Sequence, residues 1–115
     1  MILVTGGIAS GKRTYVRSLG YDDGQMDKRL AGDACVLVGL EELLRAGELG
    51  EADVDALARK DVVVCCEVGQ GVVPMEAEER VWRERVGRTC ASLAQRASKV
   101  VRMVCGIPLV IKEER

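Results

Sequence analysis

The chain contains no histidine and no phenylalanine, and aromatic residues make up only 3% of it. Without histidine it lacks the usual general base near neutral pH. Ser-His and Cys-His nucleophile pairs and Cys/His zinc sites are excluded with it. Without phenylalanine the core must be built from Val, Leu, Ile, Ala and Met. No apolar run is long enough to span a bilayer. Residues 1–5 read as a strand; they have neither the charged region nor the cleavage site of a secretory signal. The formal net charge is −1, which argues against a broad nucleic-acid surface. The five cysteines (Cys35, Cys65, Cys66, Cys90 and Cys105) form no C-x-x-C pair. Most lie in apolar runs and are expected to be buried free thiols, in keeping with a reducing cytoplasm.

What is present is enough for one soluble α/β domain over residues 1–115, at 48% hydrophobic and 30% charged. Its most informative stretch is the start. Ile2, Leu3 and Val4 form an apolar run that ends in Gly6, Gly7, Ile8, Ala9, Ser10, Gly11 and Lys12. This is the G-x-x-x-x-G-K spacing of a phosphate-binding loop between a strand and a helix. Glycines let the backbone curl so that successive N–H groups face an anion. The following helix, expected over residues 11–19, adds the positive end of its dipole. Lys12 supplies a mobile cation. The motif normally closes with Ser or Thr, whose hydroxyl binds Mg²⁺. Here Arg13 stands at that position and Thr14 comes one residue late, turned about 100° around the helix.

Further along, residues 20–32 read as a polar loop with a helical turn near residues 26–30, and residues 33–38 as a short buried strand. Glu41 and Glu42 follow at an expected exposed helix start, with an approach to a metal as the alternative role. Residues 40–59 read as one or two helices broken near residues 47–50. Residues 62–66 (VVVCC) are too continuously apolar for a surface strand and are expected at the sheet centre. They run into Glu67, Val68, Gly69, Gln70, Gly71, Val72, Val73 and Pro74. This is a glycine-bearing loop at the strand end where open α/β sheets place ligands. A helix is expected over residues 77–97, its apolar stripe made by Val81 or Trp82 with Val86, Cys90, Leu93 and Ala97. A strand over residues 100–105 turns at Gly106 into a final antiparallel strand through residues 109–111.

Taken together, the opening GGxxSGK, the EVGxGxVP segment, Arg80-x-x-Arg83-x-x-x-Gly87-Arg88 and the closing Val104-Cys105-Gly106-Ile107 resemble the bifunctional adenosylcobinamide kinase / adenosylcobinamide-phosphate guanylyltransferase family. The likeness covers residues 1–19 and 61–112. It implies a small three-layer P-loop NTPase-like fold: a mostly parallel sheet of about five strands with a C-terminal antiparallel edge strand. It also implies a cytoplasmic enzyme, commonly a trimer. Such an enzyme moves a γ-phosphoryl group from ATP or GTP, with Mg²⁺, to the aminopropanol hydroxyl of cobinamide. Carried over by position, Lys12 and Glu67 are the catalytic candidates. Residues Gly6, Gly7, Ile8, Ala9, Ser10, Gly11, Lys12, Arg13 and Thr14 would hold the nucleotide, and Gly69, Gly71, Arg80 and Arg83 the substrate.

Three departures bear on that resemblance. The histidine that carries GMP in the family's second reaction is missing, together with several tens of residues between Leu19 and Asp33. Val38 replaces the acid that ends the family's second strand. Arg13 replaces the Mg²⁺-binding hydroxyl. Three readings stay open on the residues alone: a kinase without the guanylyl step, a nucleotide- or phosphate-binding module without turnover, and a structural oligomer that keeps the loop as an anion-tolerant turn.

Overall fold

A computed structural model describes residues 1–47, 49, 53–68 and 76–114. Among these, six strands form one sheet in the order β2-β3-β4-β1-β5-β6. The strands are β1 (Ile2–Gly6), β2 (Met26–Asp27), β3 (Val36–Leu37), β4 (Val62–Cys66), β5 (Lys99–Val104) and β6 (Ile107–Glu113). All neighbours pair in parallel except β5 and β6. The helices are α1 (Lys12–Ser18), α2 (Leu40–Arg45), α3 (Val54–Ala58) and α4 (Ala77–Arg96).

The three layers follow from the alternation of side chains along the central strands. Leu3, Val63 and Cys65 point to one face, where α2, α3 and α4 cover them with Leu40, Leu44, Leu57, Val86 and Leu93. Val4, Val62 and Val64 point to the other, where Val16 of α1 and the half-buried Tyr15 meet them. Strands β1 and β4 are thus buried on both sides, which is why they read as unbroken apolar runs. The expected architecture holds: an α/β fold with a mostly parallel sheet and an antiparallel β5–β6 edge.

Several local expectations are corrected. The helical turn lies at Asp23–Gln25, where Asp22 and Gln25 form a reciprocal cap, and Met26 and Asp27 belong to a short sixth strand. The strand expected over residues 33–38 shrinks to Val36 and Leu37. On α4 it is Trp82 that turns inward, while Val81 stays exposed. Of the five cysteines only Cys65 is fully buried; Cys35, Cys66 and Cys90 are half-buried and Cys105 is exposed, all as free thiols. Cys105 sits in the β5–β6 turn with φ 51°, beside Gly106 at φ 76°. Two consecutive positive φ values are what a tight two-residue hairpin demands, and a cysteine there has no core to enter.

Candidate anion-binding cleft

The loop between β1 and α1 is curled by three backbone choices. Gly6 has φ 154°, Ala9 φ 55° and Gly11 φ 93°. At Gly6 a Cβ would stand 2.5 Å from Ser10 Oγ and 2.8 Å from the Met103 carbonyl, so only glycine fits there. The turn of the C-terminal hairpin braces the loop from behind. Gly106 N–H donates to the Ser10 carbonyl at 3.0 Å, and a Cβ on Gly11 would meet Gly106 Cα at 3.3 Å. From the β4 side, Glu67 N–H donates to the Gly6 carbonyl at 2.8 Å.

Curling leaves donors without partners. Among the described residues the N–H groups of Ile8, Ala9, Gly11, Lys12 and Arg13 meet no carbonyl. The Lys12 ammonium folds back onto the Gly7 carbonyl at 2.5 Å. Loop amides without carbonyl partners, with an ammonium beside them, are the kind of group that can hold an oxyanion. Beneath it, the buried Ser10 hydroxyl has no partner among the described residues. Its oxygen lies against Gly6, at the floor of the curl.

The loop forms one wall of a cleft of about 460 Å³. Lys12, Arg13, Ile8 and Ala9 face residues brought there by the C-terminal ends of β3 and β4 and by α2 and α4. This is the edge where parallel sheets place their ligands. Val38, just past β3, is buried and apolar where a strand-end acid was sought. Glu41 lies inside the cleft rather than on an exposed helix start. Its carboxylate accepts from Cys66 N–H at 2.8 Å, so α2 is tied to the end of β4. The Glu41 carbonyl accepts from the Trp82 indole N–H at 2.8 Å, which ties α2 to α4 as well. Arg45 covers the Trp82 ring at 3.7 Å and reaches Glu79 at 2.7 Å. Burial pushes the Cys66 thiol up, against the pull of the Lys12 charge, and leaves it a poor nucleophile.

Of the residues singled out in the sequence, Gly6 through Lys12 form the curled loop between β1 and α1. Arg13 points its exposed side of α1 toward the same cleft, and Thr14 is exposed one position on. Glu67 lines the cleft too, but both its oxygens are occupied: Arg102 holds them through Nε at 2.6 Å and Nη2 at 3.1 Å. Hydrogen bonding to Glu67 in turn pushes the Arg102 guanidinium up. Arg80 and Arg83 lie on either side of Trp82 along α4, the first exposed and the second half-buried. The described lining residue that α4 supplies is Trp82. Gly69 and Gly71 fall outside the described residues.

Sequence reasoning passed over Arg102 and the Arg45–Trp82 stack, and gave Glu41 a place at the site only as the alternative to an exposed helix start. A signal existed for the first two. Arg102 is a lone charge inside an apolar strand, and Trp82 is the only tryptophan in a chain poor in aromatics. Such residues rarely sit where they do without a specific partner.

Residues 42–111, more than half of the chain, match the sequence pattern of the family described as cobinamide kinase / cobinamide phosphate guanyltransferase. The match takes in β4, α4, β5 and most of β6, and begins after the loop. No curated protein matches the chain.

Proposed function

The chain belongs to the cobinamide kinase / cobinamide phosphate guanyltransferase family, and on that premise we propose that it binds the phosphates of ATP or GTP in the cradle of Gly6 to Lys12. The acceptor is the aminopropanol hydroxyl of cobinamide, and the reaction is the kinase half of the family's chemistry. The observation that carries this reading is the curl of free amides with Lys12 at its lip, open to a cleft large enough for part of a nucleotide. Guanylyl transfer through a histidine is not part of the proposal, because none of the 115 residues is histidine.

In this chemistry the protein contributes position and charge. The loop amides hold β- and γ-phosphate oxygens, and Lys12 leaves the Gly7 carbonyl for them. Glu67 is not a free base: clamped by Arg102, it fixes the end of β4 against the loop. The acceptor hydroxyl enters from the Trp82 and Glu41 side. In kinases of this type a divalent cation ordinarily offsets charge on the transferred group. The residues here do not fit one. Among the described residues no three of the His, Cys, Asp and Glu side chains are placed to hold a metal ion. Val38 offers no oxygen ligand from its side chain, Glu67 is engaged by Arg102, one Glu41 oxygen is committed to Cys66, and Glu42 stands by itself beside Arg45 at 4.0 Å.

The test is a single-turnover assay with labelled ATP or GTP and cobinamide. Labelled cobinamide phosphate is expected from the native chain. Lys12→Ala is expected to weaken triphosphate binding by roughly tenfold to hundredfold, the scale of a charge-assisted hydrogen bond. Tight nucleotide binding with no product would favour the second reading, a binding module without turnover. The observation on that side is that both oxygens of Glu67 are already taken. The exposed apolar face of β6 supports assembly with further copies of the chain, with a trimer as the working state.

A further inference from the structure

We propose that Arg13 takes the place of the divalent cation, so that this cleft binds a polyphosphate through two side-chain charges, Lys12 and Arg13, and does so without Mg²⁺. The inference rests on the phosphate-binding reading above and adds to it the ionic form of the ligand. It stands first on what Arg13 lacks. Arg17, Arg29, Arg45, Arg96 and Arg102 each reach a carboxylate. The Arg13 guanidinium meets no acceptor among the described residues, yet it lines the cleft beside Lys12. An exposed arginine at the mouth of the cleft with its fork unengaged is matched to a planar pair of phosphate oxygens.

It stands second on the donor set around it. A metal needs hard oxygen ligands from the protein or the substrate. The hydroxyl position of the loop is Arg13 itself, and the strand-end position is the buried Val38. Glu67 spends both oxygens on Arg102, Glu41 spends one on the Cys66 amide, and Glu42, the remaining carboxylate of the lining, lies 4.0 Å from Arg45 Nε. A divalent ion arriving with the triphosphate would therefore meet a guanidinium where it expects oxygen. The two cations compete for the same phosphate oxygens. Metal-free polyphosphate is the species this mouth fits, and excess Mg²⁺ should weaken binding rather than enable it.

Isothermal titration calorimetry with ATP and with inorganic tripolyphosphate, each in chelator and in excess Mg²⁺, reads this directly without any turnover. The native chain is expected to bind both probes in chelator at least as tightly as in Mg²⁺. Arg13→Ser is expected to lose roughly tenfold to hundredfold in chelator and to recover affinity when Mg²⁺ is added. Arg13→Lys should keep the charge, lose the fork and fall between the two; its melting temperature, with that of Arg13→Ser, confirms that both variants fold. Binding by the native chain only when Mg²⁺ is present, or an Arg13→Ser affinity unchanged in chelator, overturns the inference and leaves the phosphate-binding loop standing. No binding of either probe under either condition overturns both.

Discussion

Gly6 is the residue on which the shape of the cradle turns. It ends β1 with a backbone angle that side-chain-bearing residues rarely adopt, and its missing Cβ leaves room for Ser10 Oγ and the Met103 carbonyl. Gly6→Ala must therefore push against a backbone oxygen at 2.8 Å, which cannot yield as a flexible side chain would. Overpacking of this kind costs about 1–3 kcal/mol, and the unfavourable φ adds about 1 kcal/mol. A thermal melt followed by circular dichroism should show a fall on the order of 10 °C. Gly7→Ala is the comparison: a Cβ there meets nothing within 4 Å, and its melt should stay close to the native one. Equal melting temperatures for the two variants would mean that the loop is not packed as described. Spacing in the sequence marked both glycines alike. It could not separate them, because the difference lies in Met103, nearly a hundred positions away. The same limit hid the partner of Glu67. That glutamate was legible as a site residue, but Arg102 reaches it only through the pairing of β1 with β5 and with β4.

Among the elements, α2 and α4 form the outer wall of the cleft, and a polar latch holds them together. The Trp82 indole donates to the Glu41 carbonyl near the start of α2, Arg45 lies over the same ring, and Arg85 reaches the Leu44 carbonyl at 3.3 Å. Helix α2 is six residues long, too short to be stable by itself, so its position depends on this latch and on the buried Leu40 and Leu44. Trp82→Phe keeps an aromatic ring under Arg45 but leaves the Glu41 carbonyl without its donor. The expected loss is about 1–2 kcal/mol in urea denaturation, from one unmade hydrogen bond and a weaker cation–π contact. A change below a few tenths would show that water satisfies the carbonyl equally well. Helix α4 was legible almost to its ends because its apolar positions recur over five turns. Strand β3 was legible as a strand but read too long, and β2 was not legible, since two residues give no alternation to read; β3 forms on the edge that β4 offers, and β2 on the edge of β3. The latch was invisible for a related reason. Its members are about forty positions apart, and nothing local distinguishes Glu41 from its exposed neighbour Glu42.

For the molecule as a whole, the sheet is covered on both faces at its centre and left open at the C-terminal hairpin. Ile107 is 66% exposed, Ile111 60%, Leu109 54%, Val110 46% and Val104 44%. Single exposed aliphatic residues are ordinary, but five on one hairpin are a concentration of apolar surface of the sort that marks an interface; Val110 opposes Val101 and Leu109 opposes Arg102, so the exposure is shared between the two faces of the hairpin. Extension of the sheet by another strand is disfavoured, because Pro108 removes a donor from the edge. The hairpin is therefore expected to pack by its side chains, and copies of one chain arranged about a symmetry axis bring identical patches together. The hairpin's turn also braces the β1–α1 loop through Gly106 and Ser10, so burying the hairpin would steady that loop from behind. Light scattering of the native protein should give a mass that is a multiple of the 12.4 kDa chain, three chains in the proposed state. Leu109→Asp combined with Ile111→Asp should reduce it to one chain. Both side chains are already exposed, so the monomer should keep its secondary structure, while its affinity for tripolyphosphate falls as the hairpin behind the loop loosens. A native mass of one chain would remove the interface. An assembly that survives both aspartates would place it elsewhere on the surface.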